Sequence, residues 1–187
     1  MQVAPVDPEE LVPLAPLTFV IGGARSGKST FAEALVTAHA ARAGQRPVYL
    51  ATAEAQDAEM AERIRRHQSR RGHLWETIEA PRVRSSVLAS LPMGAPVLLD
   101  CLTLWLSNLM RAGADPESAC LDLLAGLTAA PGPVVIVSNE VGQGIVPDNA
   151  LARAFRDHAG HLNQQMAAAA RRVILVTAGL PLVLKAE

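Results

Sequence analysis

Gly22-x-x-x-x-Gly27-Lys28-Ser29 puts two glycines, an ammonium group and a hydroxyl within eight residues. Glycines let successive backbone N–H groups turn inward around an anion, lysine adds positive charge, and a serine oxygen suits a hard divalent cation. This is the pattern of a loop that cradles nucleotide phosphates. It sets Gly22, Gly23, Ala24, Arg25, Ser26, Gly27, Lys28 and Ser29 around the polyphosphate, with Lys28 bridging the β- and γ-phosphates. Such a loop works with an acid at the end of a neighbouring strand, and Asp100 closes the apolar run "PVLLD". Two roles are open to Asp100: holding Mg2+ with Ser29, or capping a helix that opens near Thr103. Cys101 beside it reads as a small packing residue.

A second group lies in "DAEMAERIRRHQSRRGH". Met60, Ile64 and His67 stand at i, i+4 and i+7, so on a helix they share the face that meets the protein. Arg63, Arg65, Arg66, Arg70 and Arg71 surround the histidine with charge that suits a triphosphate or a phosphorylated acceptor. From spacing alone His67 is either a half-buried residue on a basic helix or a neutral imidazole able to attack phosphorus. His39 and His73 belong to no motif and are read as surface residues.

The elements that must position these groups alternate along the chain. Short unbroken apolar runs, "LTFVI", "PVYLA", "PVLLD", "VVIVS" and "VILVT", read as strands covered on both faces. Between them lie amphipathic stretches predicted as helices over 29–42, 57–71, 103–110, 116–128 and 149–171. "LWETIE" and "LVLK" are further candidate strands, the latter an edge strand after Pro181. The alternation predicts an α/β fold, a mainly parallel sheet with helices on both faces, with the glycine loop between a buried strand and a helix.

The 187 residues, half of them hydrophobic, suit one domain over 17–187, preceded by a proline-rich tail over 1–16 expected to be loosely ordered. A net charge of −1 and 3% aromatic residues argue against a nucleic-acid partner. Cys101 and Cys120 form no C-x-x-C pair, which fits a reducing compartment. The acidic, proline-broken start lacks the features of a signal peptide, and no run reaches the length of a membrane span. Together these predict a cytoplasmic protein without a membrane span.

The segments "GGARSGKS", "YLATAEAQDAEMAERIRRHQSRR", "TIEAP", "LLDCLTLWLSNL", "SNEVGQGIVPDNALARAFRDHAGHLNQ" and "VILVTAGLPLVLK" resemble the bifunctional adenosylcobinamide kinase and adenosylcobinamide-phosphate guanylyltransferase family of cobalamin biosynthesis. The likeness extends from Leu17 onward, and "SNEVGQGIVP" is its most family-specific block. The resemblance implies phosphorylation of adenosylcobinamide by a nucleoside triphosphate, ATP or GTP, then transfer of GMP from GTP onto the new phosphate through a guanylylated histidine. His67 matches that nucleophile. The resemblance also implies nucleotide contacts at Ala51, Thr52 and Ala53, at Gln68, Ser69, Arg70 and Arg71, and at Glu79 and Asp100. It implies a homotrimer with crevices at subunit boundaries. Asn139 and Glu140 are expected to take polar roles in the site. Arg66 stands where some relatives carry a further histidine, and the guanine-reading N-K-x-D element is absent, so the preference for GTP rests on resemblance. The competing readings are a P-loop small-molecule kinase without guanylyl transfer and a non-catalytic nucleotide switch.

Overall fold

The computed structural model describes residues 6–55 and 57–186. The strands are β1 (Leu17–Gly22), β2 (Val48–Ala51), β3 (Glu76–Glu79), β4 (Val97–Asp100), β5 (Val134–Asn139), β6 (Arg172–Thr177) and β7 (Leu180–Ala186). The helices are α1 (Lys28–Ala43), α2 (Ala58–Arg71), α3 (Ser85–Ala89), α4 (Leu102–Arg111), α5 (Pro116–Thr128) and α6 (Ala150–Ala169). The strands form one sheet in the order β3-β2-β4-β5-β1-β6-β7, with every pairing parallel except β6 with β7. The fold class predicted from the alternation is therefore the one observed. "LWETIE" supplies the edge strand β3, and "LVLK" lies in the antiparallel edge strand β7, which tolerates Pro181 opposite Val176.

Alternate residues of the buried strands enter two different cores, which is why these runs are mostly apolar, with Thr18 and Ser138 as buried polar exceptions. Phe19, Leu50, Leu99 and Ile136 pack with Leu102, Leu106, Leu123, Leu162 and Met166 from α4, α5 and α6. Val20, Tyr49, Leu98, Val137 and Ile174 pack against Phe31, Leu35 and Val36 of α1. Burial of each such large side chain contributes about 1.5–3 kcal/mol relative to exposure. Helix starts follow local chemistry: Asp57, Asp115 and Asn149 accept hydrogen bonds from the first-turn N–H groups of α2, α5 and α6.

Two expectations are corrected. The segment before β1 is a packed strap over residues 6–16, with a 3-10 turn at Pro8–Leu11 lying along α1 and Leu14 buried in the α1 core. Arg172 donates to the Leu11 carbonyl, and the Leu14 N–H donates to Nδ1 of His39 at 3.1 Å. His39 is accordingly half-buried rather than a surface residue, whereas His73 is exposed as predicted. The sequence reading was misled because prolines and acids dominate the segment, while its anchors are single residues without periodicity. Residues 1–5 lie outside the described residues.

Candidate active site

All six strands β1 to β6 run in one direction, so the segments after β1, β2, β3 and β4 open on the same edge of the sheet. The glycine loop leaves the central strand β1 and passes into α1 through Gly27, whose φ of 96° lies in the left-handed region that favours glycine. Gly22 faces the sheet so closely that a Cβ there would collide with the Val176 carbonyl oxygen and lie 2.7 Å from Ser26 Oγ. The β6–β7 turn braces the loop from behind, with Gly179 N–H donating to the Ser26 carbonyl at 2.8 Å. Lys28 is buried, and its Nζ donates to the Gly23 carbonyl at 3.0 Å.

Beside the loop lies a cavity of about 360 Å³, in the range of small-molecule sites. Its walls bring together Ala51 and Ala53 after β2, Glu79 at the end of β3, Asp100 at the end of β4, and His67, Gln68 and Arg71 from α2. Met60 and Ile64 line it with His67, on the helix face their spacing predicts. Tyr49, Glu54, Pro81, Cys101 and Leu104 complete much of the lining.

Asp100 does not cap α4, whose N-cap position is Cys101 with no side-chain cap. Instead Asp100 Oδ2 accepts a hydrogen bond from the Tyr49 hydroxyl at 3.0 Å. Burial, and then the charge of Asp100, push the Tyr49 phenol well above its ordinary range, so it remains a donor. The Arg71 guanidinium sits 3.4 Å above the Tyr49 ring centroid, and Trp75 meets the same ring edge-on at 6.1 Å. Arg71 is only 6% exposed, and its Nε and Nη1 lack hydrogen-bond partners. On α1, Glu33 Oε1 lies 3.6 Å from both Arg71 Nη1 and His67 Nδ1. Burial, and then Asp100, raise the Cys101 thiol above its ordinary value.

Several expected site residues stand elsewhere. Gly22 to Ser29 adjoin the cavity without lining it. Thr52 is fully buried, its hydroxyl accepting from Cys101 N–H at 2.7 Å and donating to the Cys101 carbonyl at 2.8 Å, so it braces the two strand ends. Ser69 is exposed and bonds back to the Arg65 carbonyl. Arg65 pairs with Glu62 at the surface, and the side chains of Arg63, Arg66 and Arg70 lie outside the described residues. Asn139 and Glu140 stand beside the loop, not in the cavity wall: Asn139 pairs with Gly22 in the sheet and donates to Thr103 Oγ1, while Glu140 N–H donates to the Gly22 carbonyl. Sequence reasoning missed Tyr49 and Glu33. The only tyrosine of the chain, in an otherwise aliphatic strand, was a signal; Glu33 gave none, because its partners come from α2.

Known proteins agree with this architecture. The family described as cobinamide kinase / cobinamide phosphate guanyltransferase matches residues 18–184. The bifunctional adenosylcobalamin biosynthesis protein CobP of Pseudomonas aeruginosa is 45% identical over 175 residues, covering 90% of this chain and 96% of that protein. The bifunctional adenosylcobalamin biosynthesis protein CobU of Salmonella typhimurium is 41% identical over 187 residues, with 90% and 99% covered. Among solved structures, the KaiC-like protein PH0186 of Pyrococcus horikoshii superposes with a TM-score of 0.54 at 13% identity, over 100% of this chain and 90% of that one. The flagellar accessory protein FlaH of Methanocaldococcus jannaschii gives 0.55 at 12%, over 100% and 87%. These two likenesses speak for the P-loop NTPase fold alone. With the family matched over nearly its whole length, the chain belongs to the cobinamide kinase / cobinamide phosphate guanyltransferase family of bifunctional kinase and nucleotidyltransferase enzymes.

Proposed function

We propose that this chain phosphorylates adenosylcobinamide with ATP or GTP and then transfers GMP from GTP to adenosylcobinamide phosphate through a guanylylated His67, giving adenosylcobinamide-GDP. The observation that carries the proposal is the convergence of His67, Gln68, Arg71, Glu79 and Asp100 on one cavity beside the phosphate loop. The loop amides and Lys28 hold the polyphosphate, and Arg71, whose Nε and Nη1 make no hydrogen bond among the described residues, offers donors that a phosphate oxygen satisfies.

The donor set also fits Mg2+. Asp100 and Ser29 offer hard oxygens, and Asp100 lies level with Val137, which pairs with Val20 two residues before Gly22. Asp100 and Ser29 would hold the cation there, and its charge would offset that of the phosphate oxygens.

In the first reaction Lys28 and the loop amides stabilise charge on the phosphoryl group as the corrinoid hydroxyl receives it. In the second, His67 attacks the α-phosphorus of GTP, forming a P–N bond as pyrophosphate leaves. The acceptor phosphate oxygen then displaces the imidazole, so each step needs one acceptor beside phosphorus. The working assembly is a homotrimer in the cytoplasm, with the corrinoid in crevices between subunits.

Enzyme incubated with GTP labelled at the α-phosphate is expected to carry acid-labile label, and His67→Ala is expected to carry none. Equal labelling of both proteins would remove His67 from the nucleophile role. Corrinoid phosphorylation by a wild-type protein that takes no label would leave a P-loop small-molecule kinase.

A further inference from the structure

We propose that Glu33 is the positioning residue of the guanylyl-carrying histidine: it keeps the His67 proton on Nδ1 and so leaves Nε2 as the attacking nitrogen. The inference rests on the reading of His67 as the nucleophile. Glu33 lies on α1, five residues beyond Lys28, so the helix that opens at the phosphate loop also carries the carboxylate that reaches α2. Its Oε1 is 3.6 Å from His67 Nδ1 and 3.6 Å from Arg71 Nη1. Its side chain is 13% exposed against 24% for His67 and 4% for Arg71, so the three groups meet largely out of water. Arg71 in turn is fixed over the Tyr49 ring, whose hydroxyl is bonded to Asp100. The carboxylate is therefore anchored to the cavity wall rather than free to follow the imidazole.

An imidazole attacks through the nitrogen that carries no proton, and the tautomer is set by the partner of the other nitrogen. A carboxylate accepts and does not donate, so facing Nδ1 it selects the Nδ1–H form. At 3.6 Å the contact is longer than a formed hydrogen bond, and catalytic hydrogen bonds that are long in the free enzyme tighten when substrate binds. In the transfer the Nε2 lone pair forms the P–N bond while the α–β bridging P–O bond breaks, and pyrophosphate takes the electron pair. No proton moves, because Nδ1 already holds it. The ring gains a positive charge, which Glu33 opposes. When the corrinoid phosphate attacks, the P–N electrons return to Nε2 and the ring is restored.

The test uses the full-length protein with Glu33→Gln and Glu33→Leu. Single-turnover labelling at saturating α-labelled GTP is expected to slow by at least about 10-fold in E33L, with E33Q between it and wild type. GTP Kd is measured separately, because the same carboxylate also faces Arg71 Nη1, and the rate at saturation is expected to fall whether or not Kd shifts. In the 1H–15N spectrum of the imidazoles, the signal absent from His67→Gln is expected to show the Nδ1–H tautomer in wild type and to move toward Nε2–H in both variants. E33Q carries the same readings if E33L does not fold. A wild type that takes no label would overturn the nucleophile reading itself. A labelled wild type with unchanged rates and tautomer in the variants would overturn the role of Glu33 alone, as would a weakened Kd with an intact rate at saturation.

Discussion

Close approach at Gly22 constrains the glycine loop. At Gly22 a Cβ would meet the Val176 carbonyl oxygen, a backbone atom of β6 that cannot rotate aside. Gly22→Ala is therefore expected to push the loop off the sheet and weaken nucleotide binding by more than about 10-fold, equivalent to about 1.4 kcal/mol. A calorimetric titration with GTP that gave wild-type affinity would show that the loop adjusts at no cost. The loop was legible in the sequence because its pattern is local, eight consecutive residues running from the end of β1 into α1. Asp100 was legible as an acid at a strand end, but its link to Tyr49 and Arg71 was not, since that contact joins β2, α2 and β4 across separations that no periodicity records. Thr52, for which the family resemblance implies a nucleotide contact, has a buried hydroxyl bonded to Cys101, a pairing across 49 positions that no local pattern marks.

Elements read well wherever a repeating pattern marks them, and poorly where a single anchor does. Helix α3 has five residues and escaped the sequence reading; it is held by Asp122 of α5, whose carboxylate accepts from Ser85 N–H at 3.0 Å and from Ser85 Oγ at 2.5 Å. These bonds lower the Asp122 carboxyl below its ordinary value. A depressed folded value means stability that is complete above the unfolded value of about 3.9 and lost as pH falls through the folded one. Asp122→Ala is expected to cost about 0.5–2 kcal/mol at neutral pH, as for loss of a helix cap, and the gap to wild type should close in acid denaturation series. The strap carries the opposite kind of group. Leu14 N–H needs a lone pair on His39 Nδ1, and burial lowers the His39 value below 6.5. Neutral His39 thus supports the strap fully above about pH 6.5, and its support is lost as pH falls through the lowered folded value. Amide exchange at Leu14, corrected for intrinsic rate, is expected to be faster at pH 5.5 than at pH 7.5; equal protection would mean that the strap is held without this bond.

At the scale of the whole molecule the chain order of strands and helices was legible, and the spatial order was not. Unbroken apolar runs require two covered faces, which gives a parallel sheet, but nothing in them says that β1 lies between β5 and β6. That order matters, because it puts the glycine loop on a central strand with the acid of β4 two strands away. The same geometry bears on assembly. A cavity of about 360 Å³ suits part of a nucleotide, and α2, β3 and the ends of β2 and β4 already wall it. On the proposed function, a corrinoid is much larger than this cavity, so it would lie outside it and need another surface to exclude water during transfer to its phosphate. On the proposed homotrimer, sedimentation equilibrium of the full chain is expected to give three times the 19.7 kDa of one subunit at working enzyme concentration. If dilution dissociates the assembly, turnover of adenosylcobinamide phosphate should fall with it, while labelling by GTP should persist if the groups proposed for it, all on one chain, suffice. A monomer with full transfer activity would show that one subunit shields the corrinoid phosphate unaided.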